Sequence, residues 1–422
     1  MTDAKPIISN ADATLMDIGD GIARLELHSK LNIIGDGMLE VFDAALDEVE
    51  TNWTGMIVAT EAKNFSVGLN LILLLERAKS KDWDAISATL RNLQAVCTRL
   101  RMSSKPVVAA TAGMALGGGC ELAFGADAVQ AFTESYLGLV ELRVGLIPGG
   151  GGTKEMAFRC LEGQSPTAPV QTLFPYVNRA FDTLRESKVS QNATDAVELG
   201  YLRRTDAISS NQETHLEDAK GLVLSLHKAD YRPSEPPQIL VLGEEGITRL
   251  NLQTHLLRQA GTIDDYTQHL GNKLAFVLCG GTLSTPQFVT EQYLLDLEHE
   301  VFLSLCGEEE THSRIEATLQ KARTAVGRAG RGTLKNTRPD ELAAAALRGV
   351  VEKLPHFDLD AIDDVIIGCA THEGPQGYKR RPYCQFTRWV FLFPSCSDNN
   401  RFCASGLETI TMGAEQNPIW TR

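Results

Sequence analysis

The sequence lacks several features that would point to particular classes of protein. Its nine cysteines include no Cys-x-x-Cys pair, so neither a disulfide framework nor a metal site is predicted. No apolar run approaches the ~18 residues of a membrane-spanning helix, and the first residues lack the basic and apolar regions of a signal peptide. We therefore expect a cytoplasmic protein with no membrane partner.

Basic residues are also scarce. Lys and Arg number 40 against 54 Asp and Glu, and the net charge of −14 has the wrong sign for a nucleic acid partner. An anionic small molecule is compatible with this charge, because backbone N–H groups can bind a phosphate on an acidic protein. At 422 residues, of which 43% are hydrophobic, the chain is expected to form two or three globular domains.

Strand and helix patterns alternate along the first part of the chain. Buried strands are predicted at 21–27, 54–60 and 105–113, and helical patterns at 38–49 and 70–102. This alternation predicts an α/β layered fold. A proline-rich break at 231–237 separates it from a helical region, and a basic, glycine-rich stretch near residue 322 indicates the start of a third unit.

The segment Gly113-Met-Ala-Leu-Gly-Gly-Gly-Cys-Glu121 stands at a loop-to-helix junction. Glycine at 117–119 lets a ligand oxygen approach the main chain, and the helix that follows begins with unpaired N–H donors at the positive end of its dipole. These are the properties of an oxyanion hole. The second glycine run, 149–152, lacks the Gly-Lys-Ser/Thr ending of a phosphate loop and is interpreted as a tight turn.

Several motifs in this order resemble the enoyl-CoA hydratase (crotonase) superfamily over about residues 10–230. They are Lys63-Asn-Phe-Ser-Val-Gly-Leu-Asn70, the glycine segment above and Val140-Glu141-Leu-Arg-Val-Gly-Leu-Ile-Pro-Gly-Gly-Gly-Gly-Thr153. The resemblance implies a crotonase-like β-β-α superhelix in residues 1–235. Residues 236–321 resemble the helical tail of a bacterial β-oxidation multifunctional protein, but no dinucleotide-binding domain precedes it, so no NAD-dependent step is expected.

The resemblance also implies site residues. The backbone N–H groups of Leu69 and Gly118 would form the oxyanion hole. Glu141 would be the principal acid/base, and Glu121 would hold the water. An isolated glutamate in an acidic protein is usually a solvated surface group, and only the motif reverses that interpretation here. The remaining implied contacts with the substrate or its CoA are Lys63, Phe65 and Gly68.

The implied function is reversible hydration of trans-2-enoyl-CoA to 3-hydroxyacyl-CoA in fatty-acid β-oxidation, with no cofactor beyond the CoA of the substrate. Keeping both glutamates favours a hydratase over an enoyl-CoA isomerase, which needs one base. A catalytically idle fusion product that binds acyl-CoA is the alternative from another class. The expected partners are further copies of the chain, or a β-oxidation complex with dehydrogenase and thiolase subunits.

Residues 322–422 resemble the beginning of a thiolase, as a partial α/β segment. Its marks include Thr333-Leu-Lys-Asn-Thr-Arg-Pro-Asp340 and Asn400-Arg-Phe-Cys-Ala-Ser-Gly406. Cys403 falls on the acyl-accepting nucleophile and is expected to be inactive, because the histidine base and second cysteine of a thiolase belong to a later region. Residues 379–399 do not resemble a thiolase. We interpret them as out-of-frame translation, with a nucleic-acid or membrane patch as the alternative.

Overall fold

The computed structural model describes residues 6–323 and two short strands further on. The chain divides into two compact units, Met1–Lys321 and Ala322–Arg422. In the second unit, the described strands Val365–Gly368 (β10) and Cys396–Asn399 (β11) pair in parallel. Cys403 and residues 379–395 lie outside the described residues, so the predictions made for them stay predictions.

A seven-stranded sheet forms the centre of the first unit, with its strands in chain order. The first three strands are antiparallel, and the pairs from β3 to β7 are parallel. The strands are β1 Pro6–Ser9, β2 Ala13–Asp17, β3 Ile22–Leu27, β4 Gly55–Ala59, β5 Val107–Leu116, β6 Ala128–Gly138 and β7 Ala207–Ser209. The helices of this part are α1 Asp36–Asn52, α2 Leu71–Lys79, α3 Trp83–Met102, α4 Gly118–Gly125, α5 Gly152–Leu161, α6 Val170–Arg185, α7 Ala193–Glu198 and α8 His215–Lys228, with 3-10 helices at Lys30–Asn32 and Glu141–Val144.

The alternation of side chains along the central strands explains why both faces of the sheet are covered. In β4, Met56 and Val58 join the main hydrophobic core, whereas Ile57 belongs to a second, smaller cluster. Val223 of α8 is fully buried in that smaller cluster. Because successive strand residues point to opposite faces, a strand with apolar residues at every position needs helices on both sides.

Strand β5 differs from its prediction in a way that matters for the site. The sequence predicted an end at Gly113, but the strand continues to Leu116, and its register with β6 shifts between Thr111 and Gly113. The glycine accommodates a positive φ of 60° at this irregularity. The extension pairs with a loop residue through a parallel bridge between Ser66 and Ala115. Two loops are thereby brought side by side.

The tail is helical as predicted, but it also contains two paired strands. Its elements are β8 Gln238–Val241, α9 Gly243–Gln259, α10 Asp265–Leu278, β9 Gln287–Thr290, α11 Glu291–Cys306 and α12 Glu309–Arg323. β8 and β9 pair antiparallel, although nearly fifty residues separate them along the chain. α10 packs on α5 and α6, and α11 packs on α3 and α5. The tail therefore covers helices that carry the glycine-rich turn. Among the described residues, no helix is both long and apolar enough to cross a membrane.

A buried cluster of charges joins α3, α5 and the tail. Arg101 of α3 forms ion pairs with Glu155 of α5, at 3.2 Å, and with Glu291 of α11. Lys154 reaches the same two carboxylates at 3.1 and 2.7 Å. All four side chains are at most 7% exposed. Removing one partner of a buried ion pair leaves the other charge desolvated, which costs more than the pair contributes.

We expect Arg101→Leu to lower the free energy of unfolding by about 3–5 kcal/mol, because Glu155 and Glu291 lose a buried cation. The matched control is Arg99→Leu, two residues earlier on the same helix. Arg99 is 35% exposed and pairs with Asp43 and Asp47, so its loss should cost about 1 kcal/mol or less. Urea denaturation of the two variants measures the difference, and equal losses would contradict the importance of the cluster.

Candidate active site

Two backbone N–H groups converge where the 66–70 loop meets the end of β5. A parallel bridge pairs Leu69 with Ile34, and the loop turns at Gly68 with a φ of 91°. A Cβ placed on Gly118 would lie 3.6 Å from the Leu69 nitrogen. Within the described part of the chain, neither the Leu69 nor the Gly118 N–H donates a hydrogen bond. The two donors predicted for the oxyanion hole therefore face the same small space.

Helix α4 begins at Gly118 and is buried along its whole length. The preceding residue, Gly117, has a φ of 54°, which a residue with a Cβ adopts at a cost. A Cβ there would also come within 2.8 Å of Glu141 Oε1. The start of α4 therefore presents the Gly118 N–H, and the positive end of the helix dipole, to an oxygen bound beside it.

Glu121 lies on the first turn of α4 and is 2% exposed. Its Oε1 accepts hydrogen bonds from the N–H groups of Gly150 and Gly152, each at 2.8 Å. A Cβ on Gly150 would lie 2.5 Å from Oε2, so the turn has to be glycine-rich to approach this carboxyl. Burial raises the pKa of Glu121 to about 7, against the opposing effect of these N–H donors.

Glu141 begins the short 3-10 helix that follows β6. Its Oε2 is buried and accepts no hydrogen bond from the described residues. A buried polar oxygen without a partner is uncommon in folded proteins, and it marks a position that a ligand or water can complete. Burial raises the pKa of Glu141 well above its usual range, and the neighbouring charge of Glu121 adds to this effect.

A cavity of about 70 Å³ brings these groups together. Its polar lining is Gly68, Leu69, Gly117, Gly118, Glu121 and Glu141, and its apolar lining includes Val67, Leu71, Leu74, Val140, Val144, Leu146 and Phe302. The aromatic ring of Phe302 comes from α11, so the tail closes one side of the cavity. The arrangement can stabilise a negative oxygen at the N–H pair while two carboxyls face the apolar space beside it.

Two of the predicted contact residues lie elsewhere. Phe65 is fully buried in the main hydrophobic core, and its N–H donates to the carbonyl of Ala112. Lys63 is exposed, and neither residue lines the cavity. Phe65 therefore attaches the loop to the core, next to Ser66, which pairs with β5. Gly68 and Leu69, further along the loop, reach the cavity.

The sequence analysis missed Glu298 and Phe302, which the tail contributes. Both belong to the buried stripe of α11, together with Leu294, Leu295, Val301 and Leu305. The only signal in the sequence was a glutamate at helical spacing within this apolar stripe. Among the described residues, no group of acidic, histidine or cysteine side chains has the arrangement of a metal site.

Comparison with known proteins finds two matching family models. Residues 17–161 match the family model for enoyl-CoA hydratase/isomerase. This part of the chain is similar to that family. Residues 317–417 match the model for the N-terminal domain of thiolase, so hydratase/isomerase and thiolase sequences occur in one chain. The mixed α/β fold with a mainly parallel sheet and a helical tail confirms the fold class predicted from the sequence.

Among the relatives is a probable 3-hydroxyacyl-CoA dehydrogenase of Bacillus subtilis, 38% identical over 75% of this chain and 39% of its own length. A 3-ketoacyl-CoA thiolase of the same organism is 38% identical over 22% of this chain and 24% of its own length. An enoyl-CoA hydratase structure from Bacillus halodurans has a TM-score of 0.48 at 18% identity, covering 72% of this chain and 99% of that one. The chain spans about two fifths of the length of its first curated relatives.

The raised pKa of Glu141 predicts how stability depends on pH. A carboxyl whose pKa is higher in the folded than in the unfolded state favours folding at low pH, and this contribution is lost as the pH rises through the folded-state value. We expect the unfolding free energy of the wild type to fall as the pH rises from about 5 to about 8, each pKa unit corresponding to about 1.4 kcal/mol.

In the Glu141→Gln variant, the side chain at position 141 is neutral at every pH. The unfolding free energy of this variant should therefore fall less over this range. Urea denaturation at several pH values measures both slopes. The control is Glu134→Gln, whose side chain is exposed on β6 and whose slope should equal that of the wild type. A Glu141→Gln slope as steep as the wild type would contradict the assignment.

Proposed function

We propose that the protein catalyses the reversible syn hydration of trans-2-enoyl-CoA to 3-hydroxyacyl-CoA. One observation carries the proposal: the carboxyls of Glu121 and Glu141 line the same small cavity as two backbone N–H groups that donate no hydrogen bond within the described part of the chain. Hydration of a conjugated thioester needs a site for the negative oxygen of the enolate, a proton for Cα and an activated water for Cβ. The cavity has a group for each requirement.

The N–H groups of Leu69 and Gly118 would bind the thioester oxygen and stabilise it as charge develops. Such donors are effective because they are fixed before the reaction and act in a site that excludes water. Leu69 contributes only its main chain to this step. Its side chain instead forms part of the apolar lining, beside Leu71 and Leu74, where the acyl or pantetheine chain would pack.

The two carboxyls would divide the remaining work according to their surroundings. Burial and the charge of Glu121 raise the pKa of Glu141 well above its usual range, so Glu141 would keep a proton that it can give to Cα. Glu121 is held by two N–H donors that favour its ionised form, and it can accept a hydrogen bond and then a proton from the attacking water. The hydroxyl group bonds to Cβ, and transfer of the proton from Glu121 back to Glu141 restores the starting state.

Isomerisation of the double bond is the second candidate from this family, and it needs one acid/base group. The presence of a second carboxyl in the same cavity favours the hydratase. An idle fusion product that binds acyl-CoA would need neither carboxyl, and it would bear the cost of burying both without any use for them.

Substitution of the two carboxyls tests the proposal. We expect the purified protein to remove the conjugated absorbance of trans-2-enoyl-CoA, and Glu141→Gln and Glu121→Gln each to lower kcat by about 10²–10⁴. Short- and long-chain substrates should both be tried. Isomerase activity that survives in Glu121→Gln, without hydration in the wild type, would favour the isomerase. Binding of CoA without turnover of either kind would favour the idle fusion.

A second test removes one oxyanion donor and compares the result with a variant that keeps the donor and has the same Cβ. Gly118 is the first residue of α4, a position that proline accepts. Gly118→Pro deletes the N–H group, whereas Gly118→Ala keeps it, and both place a Cβ about 3.0 Å from the Ile34 side chain. We expect kcat of the proline variant to fall by a further factor of about 10²–10³ relative to the alanine variant. Equal rates would exclude the Gly118 N–H as a donor.

A further inference from the structure

Glu298 is a third buried carboxyl near the site, and it comes from the tail. It lies on α11 and is 0% exposed. Its Oε1 accepts a hydrogen bond from the Gly151 N–H at 2.6 Å, and its Oε2 accepts one from the Lys154 N–H at 2.9 Å. Both donors belong to the turn that begins α5, where unpaired N–H groups need an acceptor.

Glu298 and Glu121 divide one turn between them. Gly150 and Gly152 donate to Glu121, while Gly151 and Lys154, which alternate with them, donate to Glu298. The turn therefore lies between two carboxyls, one from α4 and one from the tail. Moving Glu298 would release the N–H groups that alternate with those holding Glu121, so the orientation of one carboxyl depends on the other.

Among the residues that the structure describes, no side-chain cation bonds to Glu298. The ammonium of Lys154 forms its ion pairs with Glu155 and Glu291 instead, although the backbone N–H of the same residue donates to Glu298. A helix N-terminus can be capped by a neutral serine or threonine. A fully buried glutamate is a costly choice for a cap alone, since a buried charge without a cation loses its hydration.

We propose that Glu298 is a positioning residue for the proposed hydration: it fixes the glycine turn that holds Glu121, and its negative charge helps Glu141 to keep the proton that it gives to the substrate. The proposal rests on the proposed function, because it concerns the carboxyl that would hold the water. Glu298 does not line the cavity and would not touch the substrate.

The effect of Glu298 on the site depends on the charged and titratable groups around it. It interacts electrostatically with Glu121 of α4, Glu141 of the 3-10 helix, Lys154 of α5 and Cys97 of α3. Burial and the charge of Glu121 raise the pKa of Glu298 to about 8. Two such carboxyls titrate as a pair. Glu121 therefore ionises before Glu298, and the charge of Glu298 raises the pKa of Glu141. Removing Glu298 should let Glu141 lose its proton at lower pH.

The test compares Glu298→Gln with Glu300→Gln, an exposed glutamate on the same helix. We expect Glu298→Gln to lower kcat about tenfold or more, with KM changed less than about threefold, and to move the basic limb of the kcat/KM profile, where Glu141 loses its proton, to lower pH. Glu300→Gln should match the wild type. A variant that only unfolds in part would lose kcat without moving this limb, so an unmoved basic limb or an unchanged kcat would overturn the proposal.

Glu298→Asp serves if the glutamine variant does not fold. The shorter side chain keeps the charge but withdraws from Gly151 and Lys154, so kcat should fall while the basic limb stays in place. A wild-type kcat in this variant would overturn the positioning role.

The proposal can also be separated from the proposed function. Absence of turnover in the wild type would defeat the hydration, but the coupling between the two carboxyls can be measured without substrate. Urea unfolding of the full chain with Glu121→Gln, Glu298→Gln and both together forms a double-mutant cycle. We expect the effects on the unfolding equilibrium constant at pH 8 to depart from additivity by about fivefold or more. Additive effects would overturn the inference.

Discussion

The site depends on one constraint: a carboxyl removed from water must find hydrogen-bond donors within the protein. Around the glycine turn the donors are the N–H groups at the start of α5, which the helix itself leaves unpaired. Glu121 takes two of them at 2.8 Å each. The close approach leaves no room for a Cβ at Gly150 or Gly152. The glycine run is therefore explained by the carboxyl beside it rather than by a phosphate.

The same turn makes the tail part of the site. Glu298 occupies the alternating N–H groups, and Phe302, one turn later on α11, closes the cavity. The buried ion cluster of Arg101, Lys154 and Glu291 attaches this helix to α3 and α5. The family model ends at residue 161, so these contacts come from a part of the chain that the family match does not include.

Much of the fold could be predicted from the sequence because it follows from local patterns. The apolar run at 54–60 and the helical spacing at 38–49 correspond to β4 and α1. Strand β5 was predicted to end at Gly113, because a glycine often ends a strand. In the structure this glycine has a positive φ, and the strand continues beyond it. The pairing of β8 with β9 was missed, since it joins two four-residue segments far apart in the chain.

The site residues were predictable to different degrees for a related reason. Glu121, Glu141, Leu69 and Gly118 stand in motifs that carry a family resemblance, and the structure places them around one cavity. Phe65 belongs to the same motif, but its side chain packs in the core. Gly68 and Leu69 of that motif line the cavity instead. Glu298 could not be recognised from its neighbours. A glutamate within an apolar stripe has meaning only when the partner turn, over a hundred residues earlier, is known.

The distribution of charge explains how such a site could hold a transferable proton. The cations of the adjacent cluster, Arg101 and Lys154, are paired with Glu155 and Glu291. Their positive charges help to hold the pKa of these two carboxyls below the usual range. Within the described ranges, no side-chain cation makes a hydrogen bond with Glu121, Glu141 or Glu298, and burial raises the pKa of all three. Three like charges so close together and out of water cannot all persist near pH 7. At least one proton must stay in the group, and Glu141, whose Oε2 has no partner among the described residues, is the carboxyl best placed to give it to a substrate.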